Sequence, residues 1–160
     1  MFIIILNLMK NDFVHLHLHS QYSLLDGAIK FDELFDEVAR QGMSAVALTD
    51  HGNLFGAYDF YKLGKKNNIK PIIGCEVYIT KDRTKKTPEN NKTHHLTVLC
   101  MNIKGYENLC SLVSTGHLEG FYRKPRIDRE LLFEKSEGLI VLSGCLNSEV
   151  CHNILKGKKD

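Results

Sequence analysis

The sequence predicts an α/β fold with mainly parallel strands, and two observations carry that expectation. Apolar residues switch repeatedly along the chain between a period of two and a period of about 3.6, the marks of strand and helix. Alternation of this kind is how strand–helix units build a sheet with helices packed on it. With 160 residues, 43% hydrophobic and 25% charged, the chain has the size and composition of one soluble globular domain rather than of a disordered one.

Residues 13–19 alternate and read as a strand. Phe31, Leu34, Phe35, Val38 and Ala39 fall at helical spacing, which predicts a helix over 31–41 ended by Gly42. The short apolar run 44–49 suits a buried parallel strand. A helix is expected over 54–68 and a strand over 70–80, followed by a polar, lysine-rich loop over 81–92 around Pro88. Residues 93–101 read as a strand, and 105–117 as a helix with Leu109, Leu112 and Val113 inward. After an irregular stretch over 118–126 come a short helix over 128–134, a strand over 138–143 and a helix from Asn147. There is no internal repeat and no low-complexity segment.

Twenty-one basic residues against 19 acidic ones leave a net charge of +2, which makes no strong electrostatic case for nucleic acid. Contact with DNA is expected to rest on local patches or on other parts of a larger protein. The basic stretches 81–86 and 123–126 could touch phosphates, but charge runs in loops read first as solvated surface. Five cysteines without a CxxC pair fit a reduced, cytoplasmic protein whose thiols are mostly core residues. The apolar run 2–6 is far shorter than the roughly 20 residues of a membrane span, and it lacks the flanks of a signal peptide. Residues 1–11 are therefore expected to be an extension or a start placed too early, with Met9 as the natural beginning and 12–160 as the domain. The last helix runs into KGKKD without a stop signal, so the domain is expected to be cut short.

His15, His17 and His19 alternate along one strand and so share one face. Neutral imidazoles gain little by crowding together, whereas convergent nitrogens are what zinc, manganese or iron sites need. Asp26-Gly27 lies a short loop away, although a DG pair alone signals only a turn. Thr49-Asp50-His51-Gly52 ends an apolar strand, where active sites of parallel α/β folds gather. There His51 reads as a ligand, and Asp50 as its orienter, as a second ligand, or as a helix N-cap. Glu76 interrupts an apolar strand. Facing inward it would be costly without a partner or a metal, and facing outward it would be merely solvated. His94 and His95 point to opposite faces, so at most one serves a site. Cys145 closes another apolar strand, where a lone cysteine is ordinarily a buried hydrophobe. Ligands spread over five strand-like segments do not have zinc-finger spacing. They fit a multinuclear hydrolase site acting on phosphoesters, with a mononuclear structural site as the second reading.

In chain order HLHLHS, SLLDG, ALTDHGN, IIGCEVYI, HHLTVL, GYENLCSLVS, GFYRKPRIDRELL and GLIVLSGCL resemble the PHP domains that begin the alpha subunits of bacterial DNA polymerase III. The resemblance implies a distorted (β/α) barrel of PHP type, only partly present in this chain. It implies metal ligation by His17, His19, Asp26, His51, Glu76, His95 and Cys145, with Asp26, His51 and Glu76 closest to catalysis and His15 just outside the metal shell. The implied cofactors are zinc and/or manganese, up to three ions in the intact domain, with magnesium reserved for a polymerase core that this chain lacks. One departure stands out: the late Asp-x-His ligand pair of the family has no counterpart after Cys145. The intact protein is expected to be a DNA-directed DNA polymerase of the cytoplasm, and this chain alone is not expected to polymerise. Its metal site would be a phosphoesterase and a candidate 3′–5′ proofreading exonuclease. The implied partners are DNA, the remainder of the alpha subunit, a proofreading exonuclease subunit and other replicase subunits, with no membrane. The alternatives are a stand-alone phosphoesterase of the histidinol-phosphatase type and a non-catalytic docking module.

Overall fold

Ala45–Leu48, here β1, is buried at every position, which a strand achieves only within a sheet covered on both faces. In a computed structural model, which describes residues 13–144 and 148–157, that sheet is organised by β2, Lys70–Ile79. The first half of β2 pairs in parallel with β1. Its second half pairs antiparallel with β3, His94–Cys100, and its last two residues pair in parallel with β4, Arg126–Ile127. An edge strand β5, Leu139–Leu142, lies antiparallel to β3.

Helix α1, Phe31–Arg40, turns Phe31, Leu34, Phe35 and Val38 inward at the spacing read from the sequence. These side chains pack with Val46, Leu48 and Phe60, the last from α2, Ala57–Lys66. A second core gathers Cys75, Val77, Ile79, Val98 and Ile127 under Leu109 and Leu112 of α3, Ile103–Leu118. Leu131 and Leu132 of α4, Arg129–Glu134, close it. The short α5, Glu149–Leu155, is capped by Ser148. No described helix is long and apolar enough to cross a membrane.

The fold departs from the expected pattern in three places. The sheet is mixed, with two parallel and two antiparallel pairings, rather than mainly parallel. Between β2 and β3 the connection holds only a 3₁₀ turn, Pro88–Asn90; lacking a crossover helix, the chain reverses instead. Residues 13–19 are extended but form no ladder. They meet β1 through Ala47 N–H to the His15 carbonyl and Thr49 N–H to the Leu18 carbonyl, both 2.9 Å. The Leu18 N–H goes instead to the Thr49 hydroxyl, 2.8 Å, and Leu16 stays exposed rather than entering the core.

The lysine-rich loop is the third departure, because it is pinned from beneath by a buried arginine. The Arg126 guanidinium, wholly inaccessible, donates to the carbonyls of Gly120 and Asn90 at 2.9 Å and of Lys85 and Arg83 at 3.2 and 3.3 Å. Burial pushes its pKa down from the ordinary value, and carbonyl oxygens rather than a carboxylate offset that cost. Arg83 donates to both oxygens of Asp128, at 2.9 and 3.0 Å, while Asp128 also caps α4 through Leu131 N–H.

Arg126→Met should leave those carbonyls short of donors and cost about 3 kcal/mol, read as a lower midpoint in chemical denaturation together with faster tryptic cutting over 81–92. An unchanged midpoint would remove the pin from the account. Ile140 and Val141 of β5 are 45% and 42% exposed on an edge strand, an arrangement that favours edge-to-edge pairing. Size-exclusion chromatography of the 160-residue chain should accordingly show self-association that Val141→Lys reduces; a monodisperse monomer would contradict this.

Candidate metal centre

Alternation along β2 sends Cys75, Val77 and Ile79 into the second core and Glu76 and Tyr78 to the opposite face. The β1–β2 register continues past the end of β1, pairing His51 with Glu76. Gly52 N–H donates to the Glu76 carbonyl at 2.9 Å, and Glu76 N–H to the Asp50 carbonyl at 3.0 Å. Across the sheet Tyr78 pairs with His95 and Ile79 with His94, so His95 shares the face of Glu76 and His94 takes the other.

These placements surround one carboxylate with four imidazoles. The Glu76 side chain is only 4% exposed. His17 Nε2 lies 2.5 Å and His19 Nε2 3.3 Å from its Oε2. His51 Nδ1 lies 3.1 Å from its Oε1, and His95 Nδ1 is in contact with the same oxygen. Burial alone pushes the Glu76 pKa up, but the His19, His51 and His95 rings set against the carboxylate outweigh it and hold the carboxyl well below the usual range.

Two tautomers are fixed from outside this cluster. Asp26 Oδ2 lies 3.0 Å from His51 Nε2; a carboxylate only accepts, so Nε2 carries a proton, and in the neutral ring Nδ1 presents a lone pair to Glu76. The second chain of bonds begins at Asp50, buried and accepting from Ser20 N–H at 2.7 Å, the Ser20 hydroxyl at 2.8 Å and the Ser23 hydroxyl at 2.7 Å. Having given its hydrogen to Asp50, the Ser23 oxygen accepts from His51 N–H at 3.1 Å and from His19 Nδ1 at 3.2 Å. In the neutral ring His19 Nε2 therefore also faces Glu76 with a lone pair.

Lone pairs on buried nitrogen and carboxylate oxygen repel unless a proton or a metal cation lies between them. His51 Nδ1 and Glu76 Oε1 are both buried without a hydrogen-bond partner of good geometry. The donors fall into two groups, His17–His19–Glu76 and His51–Glu76–His95, each with its ligand atoms within 4.8 Å of one another. Imidazole nitrogen with carboxylate oxygen is a donor set suited to zinc or manganese, and Glu76 belongs to both groups. The residues present therefore fit divalent ions.

Of the residues singled out from the sequence, His17, His19, His51, Glu76 and His95 come together. Asp26 reaches the cluster through His51 and not through Glu76; its side chain is 57% exposed. Gly27 after it is required by packing, since a Cβ there would sit 1.8 Å from the Ser20 carbonyl oxygen. His15 stands edge-on to Phe13, ring centroids 4.8 Å apart, while His94 lies 5.7 Å from the His152 ring. Asp50 turns toward the serines and caps no helix. Cys145 lies outside the described residues. Sequence reasoning missed Ser20, Ser23 and Tyr78. The signals were two serines one and four positions after His19 and a tyrosine two positions after Glu76. The Tyr78 ring is near-parallel to that of His51 at 5.9 Å, and burial, then the Glu76 and Asp26 charges, push its hydroxyl up to about 12.

The family model for the PHP domain matches residues 15–160. DNA polymerase III subunit alpha of Aquifex aeolicus is 54% identical over 146 residues, covering 86% of this chain and 13% of the relative. The subunit of Helicobacter pylori strain 26695 is 51% identical over 142 residues, covering 89% and 12%, and that of Thermus aquaticus 48% over 157 residues, covering 94% and 13%. The chain thus spans about an eighth of the length of these curated relatives. Among solved structures, an amidohydrolase from Chromobacterium violaceum is 24% identical with a TM-score of 0.47, covering 64% of this chain and 32% of that one.

The His51 pKa is raised, first by the Glu76 carboxylate beside it and against the effect of burial. A raised histidine contributes stability in full below its unfolded value of about 6.5, and the contribution fades as pH rises through the folded value. In chelator, the Tm gap between the parent and His51→Ala should therefore narrow from pH 6 to pH 9, and divalent zinc should widen it again at the upper end. A gap that grows with pH in chelator would contradict the assignment.

Proposed function

The chain belongs to the PHP domain family, in the branch of the DNA polymerase III alpha subunits, and on that premise we propose that its imidazole-ringed carboxylate is a multinuclear metal site for phosphoester hydrolysis at DNA 3′ ends. The observation that supports it most directly is Glu76, buried and facing four imidazoles, two of which present lone pairs to it. On this reading His17 and His19 would hold one zinc or manganese ion, His51 and His95 a second, and Glu76 would serve both, with Cys145 a further ligand. When bound, the ions supply Lewis acidity to a phosphoryl oxygen.

The protein's own groups do the rest. Asp26 keeps the proton on His51 Nε2, and Ser23, oriented by Asp50, keeps the proton on His19 Nδ1. Both nitrogens facing Glu76 are thereby ready to ligate without a change of tautomer. Asp26 is also the most open carboxylate of the site, placed to accept a proton from water at the mouth. Kinship with replicative polymerase subunits supports a place in bacterial chromosome replication in the cytoplasm. DNA, the remainder of an alpha subunit, a proofreading exonuclease subunit and other replicase subunits would be the partners, with magnesium-dependent polymerisation left to that remainder.

Elemental analysis of the purified chain should find two or more equivalents of zinc or manganese. One group should be lost in the His17→Ala, His19→Ala double variant and both in Glu76→Gln, with 3′-end hydrolysis of single-stranded DNA falling at least a hundredfold in each. A parent chain that holds no metal would leave docking of a separate exonuclease as the better account.

A further inference from the structure

We propose that Lys124 and Tyr78 form a phosphate-binding edge of the metal centre, taking a non-bridging oxygen of the substrate; this rests on the phosphoesterase reading and adds to it a recognition element that none of the metal ligands supplies. Tyr78 stands two residues beyond Glu76 on the same face of β2. Its ring lies alongside His51, as described, and edge-on to His95 with centroids 5.0 Å apart. No hydrogen bond engages its hydroxyl among the described residues, so the phenol has a donor to offer.

Lys124 arrives from a different part of the chain, by a turn with an uncommon backbone. Tyr122 N–H donates to the Lys124 carbonyl at 3.1 Å, closing the turn around Arg123, whose φ is 63°. A long side chain in the left-handed region is unfavourable and persists only where the surroundings impose it. The residues that follow impose it here: Arg126 is buried under the loop, and Pro125 packs on Gly52, the residue after His51. A Cβ at Gly52, itself at φ +59°, would lie 2.7 Å from Pro125 Cγ and 3.1 Å from the Tyr78 ring.

The outcome is that Lys124 Nζ stands 4.4 Å from the centre of the Tyr78 ring. It forms no ion pair among the described residues. A cation held over an aromatic face, rather than by a carboxylate, keeps its charge available to an anion. Lysine serves phosphate as a point charge, and a phenol beside it supplies a directed donor. Arg123 differs, since its guanidinium lies over the Tyr122 ring, 5.8 Å from its centre.

The test is calorimetric titration of the manganese-loaded 160-residue chain with inorganic phosphate, alongside metal analysis and hydrolysis of bis(4-nitrophenyl) phosphate. Lys124→Ala should weaken phosphate binding about tenfold and raise KM similarly, with kcat and metal content kept. Tyr78→Phe should weaken it a few-fold, Lys124→Arg should restore most of the affinity, and Arg123→Ala should match the parent. Parent-like phosphate affinity in Lys124→Ala, or no phosphate binding by a parent that does hold metal, would overturn the pair while leaving the metal centre standing. A parent that takes up no metal would overturn the phosphoesterase reading, and the pair with it.

Discussion

Glu76 is a carboxylate withdrawn from water in the middle of a sheet, and its desolvation is the constraint the surrounding structure answers. An unpaired buried charge of this kind costs several kcal/mol, so the four imidazoles around it are required rather than incidental. They come from three placements: His17 and His19 from the extended segment beside β1, His51 from beyond the end of β1, and His95 from the neighbouring antiparallel strand. The sheet has to be assembled before the carboxylate is compensated. Site and fold are therefore one cooperative unit, and a change at Glu76 acts on both.

Register is what makes this convergence possible. Because β2 alternates, a slip of one residue against β1 would turn Glu76 into the second core and Val77 toward the histidines. Several contacts hold the register where it is. The parallel pairing runs unbroken into Asp50–His51, and the buried Cys75 thiol donates to the Asp50 carbonyl at 3.3 Å. His117 Nε2 donates to the Gly52 carbonyl at 2.9 Å, tying α3 to the same turn. Arg126 holds the far end of β2 through β4 and the loop above it. Two cores, one on each half of β2, then fill the space on either side.

Much of the site could be read in the sequence because its chemistry is written in residue type. Three alternating histidines, a histidine at a strand end and a glutamate among apolar residues are each hard to explain as packing. Helix α1 was legible for the same kind of reason, four inward residues at helical spacing. The serine relay was not, since serine near a turn is ordinary and only the fold shows that Asp50 collects three donors. Nor could charge alone show that Arg126, in a run that read as solvated surface, is buried: burial depends on carbonyls contributed by residues 83–90 and by Gly120. The connection between β2 and β3 did read as a loop without a helix; the antiparallel pairing it brings about was the part left undrawn.

A structural metal site and a catalytic one make different demands, and the phosphoesterase reading proposed above rests on features around Glu76 that suit the second. A structural site closes a tetrahedral shell around one ion and excludes solvent. Here the donors divide into two groups sharing one carboxylate, and the His17 side chain, 43% exposed, stands at the rim. The tautomers of His19 and His51 are set by groups that do not themselves face Glu76, an investment that matters when nitrogen lone pairs must be presented without rearrangement. An open rim, a shared carboxylate and preset lone pairs would hold an ion while leaving room beside it for a substrate oxygen, which is the physical content of the phosphoesterase reading.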